Sequence, residues 1–268
     1  MRTWNEVAPR YHKRWTKSCV GPFESTYKII RLSKISKNDA VLDLACGTGV
    51  VTKKLSKIVG NGGQVIGVDS SFEAIKIARS WCKRKNTEFV ISDAANLPFA
   101  KKFDAITCQF AIFFFPDSQK VLKKLKSLLK EGGKLSISVH GKKNKVPFFG
   151  SILDSVIKFI PDYLPHDAPS FDRFSTKTAL KDEIKKASFS QISVKKYKFQ
   201  YSPGSLNNYW DNYLKYIPRK LKMKIDCLPK EKQNLLLDEV KQKTLPFTRK
   251  DGKIIFPWEV LILTAQNN

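Results

Sequence analysis

Three carboxylates stand in comparable places along the first hundred residues. Asp43 sits inside the apolar run Val41–Leu44, Asp69 closes the run VIGVD, and Asp93 follows FVIS. Just after the first comes Gly47-Thr48-Gly49, where glycines permit a tight strand-to-helix turn and let a ligand approach bare backbone. A carboxylate ending the second strand can accept both hydrogen bonds of a ribose diol. One after the third can accept from an adenine amino group. A single acid in such a position often only caps the following helix. Three in phase beside a glycine turn point instead into the crevice where doubly wound sheets hold ligands.

The ligand class can be narrowed. A nicotinamide fold asks for G-x-G-x-x-G/A, so that the helix meets a pyrophosphate. Here Thr52 occupies the third position and Asp43 precedes the loop. A carboxylate there repels a pyrophosphate and suits a cation. The pattern therefore favours an adenosine-bearing ligand that is positively charged and lacks phosphate.

The elements that must position these groups alternate. Strands are expected at Ala40–Leu44, Gln64–Val68, Glu88–Ile91, Phe103–Cys108 and Lys134–His140. A helix at 119–130 places Val121, Leu122, Leu125, Leu128 and Leu129 on one stripe, with Gly132-Gly133 expected to stop it. This rhythm builds a parallel sheet covered on both faces. Past His140 it loosens into an aromatic and proline-rich segment (147–174), a helix at 176–187 and a strand at 191–199. A mostly helical stretch, 206–243, is broken at Pro218 and Pro229, and a last strand covers 254–264. Pro257 inside that strand marks an edge or a bulge. The expected organisation is one domain over 1–268: an N-terminal helical cap at 1–38, a core at 39–145, and helical insertions at 146–175 and 200–253.

Composition sets outer bounds. The chain has 268 residues, 42% hydrophobic and 27% charged, which excludes a wholly disordered or collagen-like protein. No apolar run reaches the length of a membrane span, and the first fifteen residues hold no secretory signal. Five cysteines (19, 46, 82, 108, 227) without CxxC pairs indicate neither a disulfide framework nor a metal site. A cytoplasmic protein without a metal is expected. The net charge of +25 is spread over the chain, with 25 basic against 11 acidic residues in 1–140 and 24 against 13 in the rest. Lysine outnumbers arginine more than fourfold, whereas base and phosphate readers favour the arginine fork. A lysine-rich surface is the simpler reading; nucleic acid is an unfavoured alternative partner, and peripheral contact with an anionic membrane another.

Asp43-Leu44-Ala45-Cys46-Gly47-Thr48-Gly49 resembles the first motif of class I S-adenosylmethionine-dependent methyltransferases. The resemblance covers most of residues 1–200 and continues in order. Asp69 matches the ribose-binding acid and Asp93-Ala94 the adenine-contacting pair. FDAITCQFAIFFFPD (103–117) matches the fourth-strand motif, and LLKEGGKLSISV (128–139) the step into the fifth strand. Within that superfamily the chain is most similar to the small-molecule enzymes that include those of quinone biosynthesis. The resemblance implies a Rossmann-like, mostly parallel seven-stranded sheet with an antiparallel last strand. It also implies S-adenosyl-L-methionine as cofactor, held by Asp43, Ala45, Cys46, Gly47, Thr48, Gly49, Asp69, Ser70, Asp93, Ala94 and Gln109. Trp4, Val7, Ala8, Tyr11 and Trp15 share one face of an N-terminal helix, which in related enzymes forms a lid; packing on the domain is the alternative.

Methyl transfer from a sulfonium is an in-line displacement needing alignment and dryness, with no protein nucleophile. Where the acceptor is a phenol or acidic carbon, a general base helps. His140, at the carboxyl end of the fifth expected strand, is the candidate; the other histidines are His12 and His166. Tyr11, Phe110, Phe115 and Phe148 are candidate contacts for an apolar or aromatic acceptor, with Phe113, Phe114, Phe149 and Phe171 nearby. Competing readings are an RNA or protein methyltransferase using the basic surface, and a non-catalytic scaffold that only binds the cofactor. Exocyclic-amine chemistry is disfavoured by Cys108-Gln109-Phe110-Ala111 in place of an Asn-Pro-Pro-Tyr type motif. Cys108 sits within a strand and reads as packed.

Overall fold

A computed structural model describes residues 2–15, 20–164 and 170–268. Cys19, His166 and the side chain of Trp15 lie outside the described residues. In chain order the elements are α1 (Arg2–Trp15), α2 (Ser25–Ser33), β1 (Ala40–Leu44), α3 (Val50–Val59), β2 (Gln64–Asp69), α4 (Phe72–Trp81), β3 (Thr87–Ile91) and β4 (Phe103–Gln109). Then follow α5 (Ser118–Leu128), β5 (Leu129–His140), α6 (Pro147–Phe159), α7 (Lys177–Lys186), β6 (Ser190–Gly204), α8 (Leu206–Tyr216), α9 (Arg219–Asp226), α10 (Lys230–Thr244) and β7 (Ile254–Gln266).

The seven strands form one sheet in the order β3-β2-β1-β4-β5-β7-β6. The first five are parallel, and β7 runs antiparallel to both β5 and β6. The strand order reverses beside β1, so its carboxyl end opens the crevice expected of a doubly wound sheet. In register, Asp43 pairs with Gly67 and Thr107, and Leu44 with Val68 and Cys108. β1 is buried on both faces, which is why its run is uniformly apolar apart from Asp43.

The α5 stripe is as the spacing required: Val121, Leu122, Leu125 and Leu128 are buried against the sheet. Its end differs from the expectation. The helix stops at Leu128, and Gly132-Gly133 lie inside β5. Asn267 Nδ2 donates to the carbonyls of Leu129 and Lys130 at 3.0 and 3.1 Å, and Gly132 N donates to Asn267 O at 2.7 Å. The chain terminus thus satisfies carbonyls that another helical turn would otherwise have used.

Pro257 pairs only toward β6, opposite Gln200, because β5 pairing ends at His140–Val260. The missing N–H falls where β7 is locally an edge. Pro218 and Pro229 are the N-caps of α9 and α10, consistent with the expected breaks. The last helices and α6 close a second apolar cluster around Tyr163, Tyr209, Leu236, Val240 and Phe256.

Candidate active site

The turn after β1 is built from left-handed backbone. Ala45 has φ 52°, Gly47 φ 54° and Gly49 φ 80°. Gly49 adopts a conformation that favours glycine, and an added Cβ would crowd the Phe89 ring at 3.1 Å and Ala78 at 3.2 Å, so both would have to give way. At Gly47 a Cβ would meet nothing within 4 Å; this backbone faces open room rather than protein.

The carboxylates divide the work. Asp43 is buried beneath the turn; its Oδ2 accepts from Thr52 Oγ1 at 2.6 Å and its Oδ1 from Thr107 Oγ1 at 2.8 Å. Burial pushes its pKa up to about 6, and the two hydroxyl bonds oppose that rise. Asp69, at the end of β2, takes Gly47 N on Oδ2 (2.9 Å) and Ser71 N on Oδ1 (2.8 Å). It ties the glycine turn to the start of α4 and is raised by burial, against those backbone bonds. Neither acid caps a helix: Gly49 precedes α3, and Ser71, accepting from Ala74 N at 3.1 Å, caps α4. Asp93 is more exposed, with Oδ1 accepting from Ala95 N at 2.8 Å, and Ala94 follows it in the same turn.

Other expected residues are distributed around this turn. Cys46 is buried, and its thiol is pushed well above the ordinary range by burial and by Asp69 and Asp43, so it is inert. Cys108 is likewise buried with a raised pKa. Thr48 is buried with its hydroxyl lacking a protein partner, while its carbonyl accepts from Trp81 Nε1. Ser70 lies between Asp69 and the Ser71 cap and is partly exposed. Gln109 ends β4 and is held by α2: Thr26 Oγ1 donates to its Oε1 at 3.0 Å, and its Nε2 donates to Ser25 Oγ at 3.1 Å.

α1 crosses the same edge. Asn5 Oδ1 accepts from Ser71 Oγ at 2.8 Å and from Glu73 N at 3.2 Å, docking the helix onto the start of α4. Trp4 sits edge-on to Phe114 (5.6 Å between centroids) and to Tyr11 (6.1 Å). From Tyr11 a chain of rings continues through Phe23 (5.8 Å) and Phe110 (5.8 Å) to His140. Phe110, in left-handed backbone at φ 54°, stacks on the imidazole at 4.4 Å and 9°.

His140 is buried, and its Nδ1 accepts from Trp258 Nε1 at 3.1 Å. The ring hydrogen therefore sits on Nε2. Burial lowers the pKa to about 3, so the imidazole is neutral near pH 7. Accepting a proton at Nδ1 would require release of Trp258. Phe148 reaches His140 through other rings, Phe149 (5.4 Å) and Trp258 (5.0 Å), both of which touch the imidazole, and Phe115 is placed by its backbone. The Phe115 carbonyl accepts from Arg173 Nη1 at 2.6 Å, and Phe148 packs among Tyr201, Tyr209, Phe256 and Trp258. Phe149 and Phe171 lie 4.5 Å apart and close on His140, so these rings pack on one another. The cavity beside α6, about 670 Å³, is lined by Lys142, Lys143, Asp154 and Lys243 together with the apolar Pro147 and Phe247. Among the described residues no cluster could hold a metal ion.

Thr52, Thr107, Asn5, Phe23 and Trp258 were not singled out as site residues from the sequence. Only Thr52 carried a signal, as the departure from G-x-G-x-x-G.

The arrangement fits an adenosine ligand with a cationic amino-acid end. Gly47 offers bare backbone toward open room, Thr48 an unused buried hydroxyl, and Asp69 and Asp93 acceptor oxygens at successive strand ends. A family model described as a methyltransferase domain matches residues 35–188. This chain belongs to the S-adenosylmethionine-dependent methyltransferase family. Among methyltransferases, the demethylmenaquinone methyltransferase of Staphylococcus saprophyticus is 30% identical over 206 residues, covering 72% of this chain and 84% of that protein. Two solved structures share the fold. The YcgJ protein of Bacillus subtilis has TM-score 0.59 and 18% identity, covering 91% of this chain and 98% of that one. Phosphoethanolamine N-methyltransferase 2 of Haemonchus contortus, solved with S-adenosyl-L-methionine, has TM-score 0.53 and 17% identity over 91% of this chain and 52% of its own. The mixed sheet, with β7 antiparallel to both neighbours, is the methyltransferase fold that the resemblance implied.

Proposed function

We propose that this methyltransferase acts on a small, apolar, aromatic acceptor of the quinone-precursor kind. The observation that carries the reading is the ring series Tyr11–Phe23–Phe110–His140 beside Gln109, an apolar aromatic wall at the carboxyl end of β4. The similarity to a demethylmenaquinone methyltransferase supports it.

S-adenosylmethionine, when bound, supplies a methyl group on a cationic sulfur. The chain's contribution is alignment and exclusion of water. Asp69 and Asp93 would hold the nucleoside, and Asp43, Ala45, Cys46, Thr48, Ser70, Ala94 and Gln109 the rest of that site, with Gly47 and Gly49 leaving backbone free. The helical segment within 1–38 would serve as a lid, seated through Asn5, and the insertions at 146–175 and 200–253 as the acceptor side. Phe110, backed by the buried His140, would offer a stacking face. A general-base role for His140 would need its Trp258 bond exchanged; with that bond intact, Nε2–H is a donor.

The test is incubation of the purified protein with methyl-labelled S-adenosylmethionine and a demethylated naphthohydroquinone, followed by mass analysis. Transfer of label to the quinone is expected. Asp69→Ala should abolish both transfer and cofactor binding. Intact cofactor binding without transfer would overturn the acceptor and leave the family assignment standing.

A further inference from the structure

The segment Arg79–Lys85 packs four cations into seven residues, where the chain leaves α4 and prepares to enter β3. In the fold, Arg79, Lys83, Arg84 and Lys85 line one concave pocket of about 560 Å³, together with Cys82, Thr87, Glu88 and Phe89. Because β1, β2 and β3 are parallel, the turn before β3 lies at the amino ends of the strands. The glycine turn lies at the carboxyl end. The pocket's cations thus lie toward the opposite end of the strands from the glycine turn; only Phe89, which packs against that turn at Gly49, is shared with the cofactor site.

Its charge is uncompensated. Four cations face one carboxylate, Glu88, and none of the four forms an ion pair among the described residues. Arg79 uses Nη2 on the carbonyl of Phe89 at 2.6 Å. Arg84 Nε is shielded from solvent and has no acceptor. Cations at a helix C-terminus complement its dipole. That effect explains neither the concavity nor a desolvated guanidinium donor, which is costly unless an acceptor completes it.

We propose that this pocket binds phosphate groups of a single-stranded nucleic acid. Two guanidinium forks and two ammonium groups match phosphate oxygens in charge and donor number. The basic surface also continues beyond one phosphate. Asn86 Nδ2 donates to the carbonyls of Ser56 and Gly60, both at 2.8 Å, which sets the last turn of α3, with Lys57, against this turn. A bilayer is a poorer match. The two apolar lining residues, Cys82 and Phe89, are buried, so the pocket offers a bilayer charge but no apolar group to insert. Bound here, the strand is held away from the catalytic edge, as a tether and not as a methyl acceptor.

The test is fluorescence anisotropy of a labelled oligouridylate over a salt series. It compares the unaltered protein with Lys83→Gln/Arg84→Gln/Lys85→Gln and with Lys177→Gln/Lys181→Gln/Lys185→Gln on α7. Binding of S-adenosylhomocysteine by each variant verifies folding. The pocket variant should bind the strand at least about tenfold more weakly, with the logarithmic salt slope reduced by about 2, at ~0.7 per phosphate contact. The α7 variant should stay within about threefold. Equal losses in both variants would reduce the effect to general charge and overturn the proposal. So would strand binding that ignores the pocket variant. Binding of inorganic pyrophosphate or phosphatidylserine vesicles without binding of the strand would also overturn it.

Discussion

Thr52 Oγ1 donates to Asp43 Oδ2 at 2.6 Å, nine residues back along the chain and beneath the glycine turn. The residue that breaks the dinucleotide pattern is therefore one of two hydroxyls that keep a buried carboxylate solvated; Thr107, on the neighbouring strand, is the other. Thr52→Val keeps the volume and removes the donor. It should destabilise the protein by about 1–3 kcal/mol, more at pH 8 than at pH 5, since the bond favours the ionised acid. Urea unfolding at the two pH values measures this.

Asp43 also gives stability a definite pH signature. Its folded pKa, about 6, stands above the unfolded value of 3.8. The associated stability is fully present below pH 3.8 and is lost as pH rises through 6. Against Asp43→Asn, which never ionises, the unaltered protein should lose about 2 kcal/mol between pH 4 and pH 7. A difference that stays flat across that window would mean the carboxylate is not desolvated.

His140 acts in the reverse direction. Its folded pKa of about 3 lies below the usual 6.5, so its stability is present above 6.5 and declines as pH falls toward 3. Relative to His140→Phe, the protein should lose about 2 kcal/mol between pH 6.5 and pH 5. In nitrogen-15 spectra the His140 ring should remain neutral, with hydrogen on Nε2, from pH 8 to pH 5. Trp258→Phe removes the bond that selects this tautomer and should populate both.

The two turn glycines should separate stability from binding. Gly49→Ala combines a left-handed φ with a 3.1 Å approach to Phe89, and should cost about 1–2 kcal/mol of stability as well as cofactor affinity. Gly47→Ala has the same kind of backbone but no neighbour. Its melting temperature should fall less, while affinity for S-adenosylhomocysteine drops at least tenfold. Thermal melts and titration calorimetry resolve the two.

Asn5→Ala removes two bonds from α1 to the start of α4. At about 1 kcal/mol each, the helix should detach more often. Faster proteolysis within residues 2–15 and a several-fold weaker cofactor affinity are the expected outcomes.

The sequence by itself determined the order of strands and helices through β5, the glycine turn and the three acids at successive strand ends. Those features are written in stretches of about ten residues, because periodicity and left-handed backbone are local demands. Only the tertiary structure decided what each polar group touches. Trp258 and His140 are 118 residues apart and meet only once β7 registers against β5. Asn267, 138 residues from Leu129, moves the end of α5 back to Leu128 by claiming the next carbonyls. Phe148, equal to Phe110 as an aromatic candidate in the sequence, turns onto Trp258 and Phe256 because α6 packs against β7. A hydrogen bond or ring contact between distant segments depends on strand register and helix rotation, and neither is carried by the residues that make the contact.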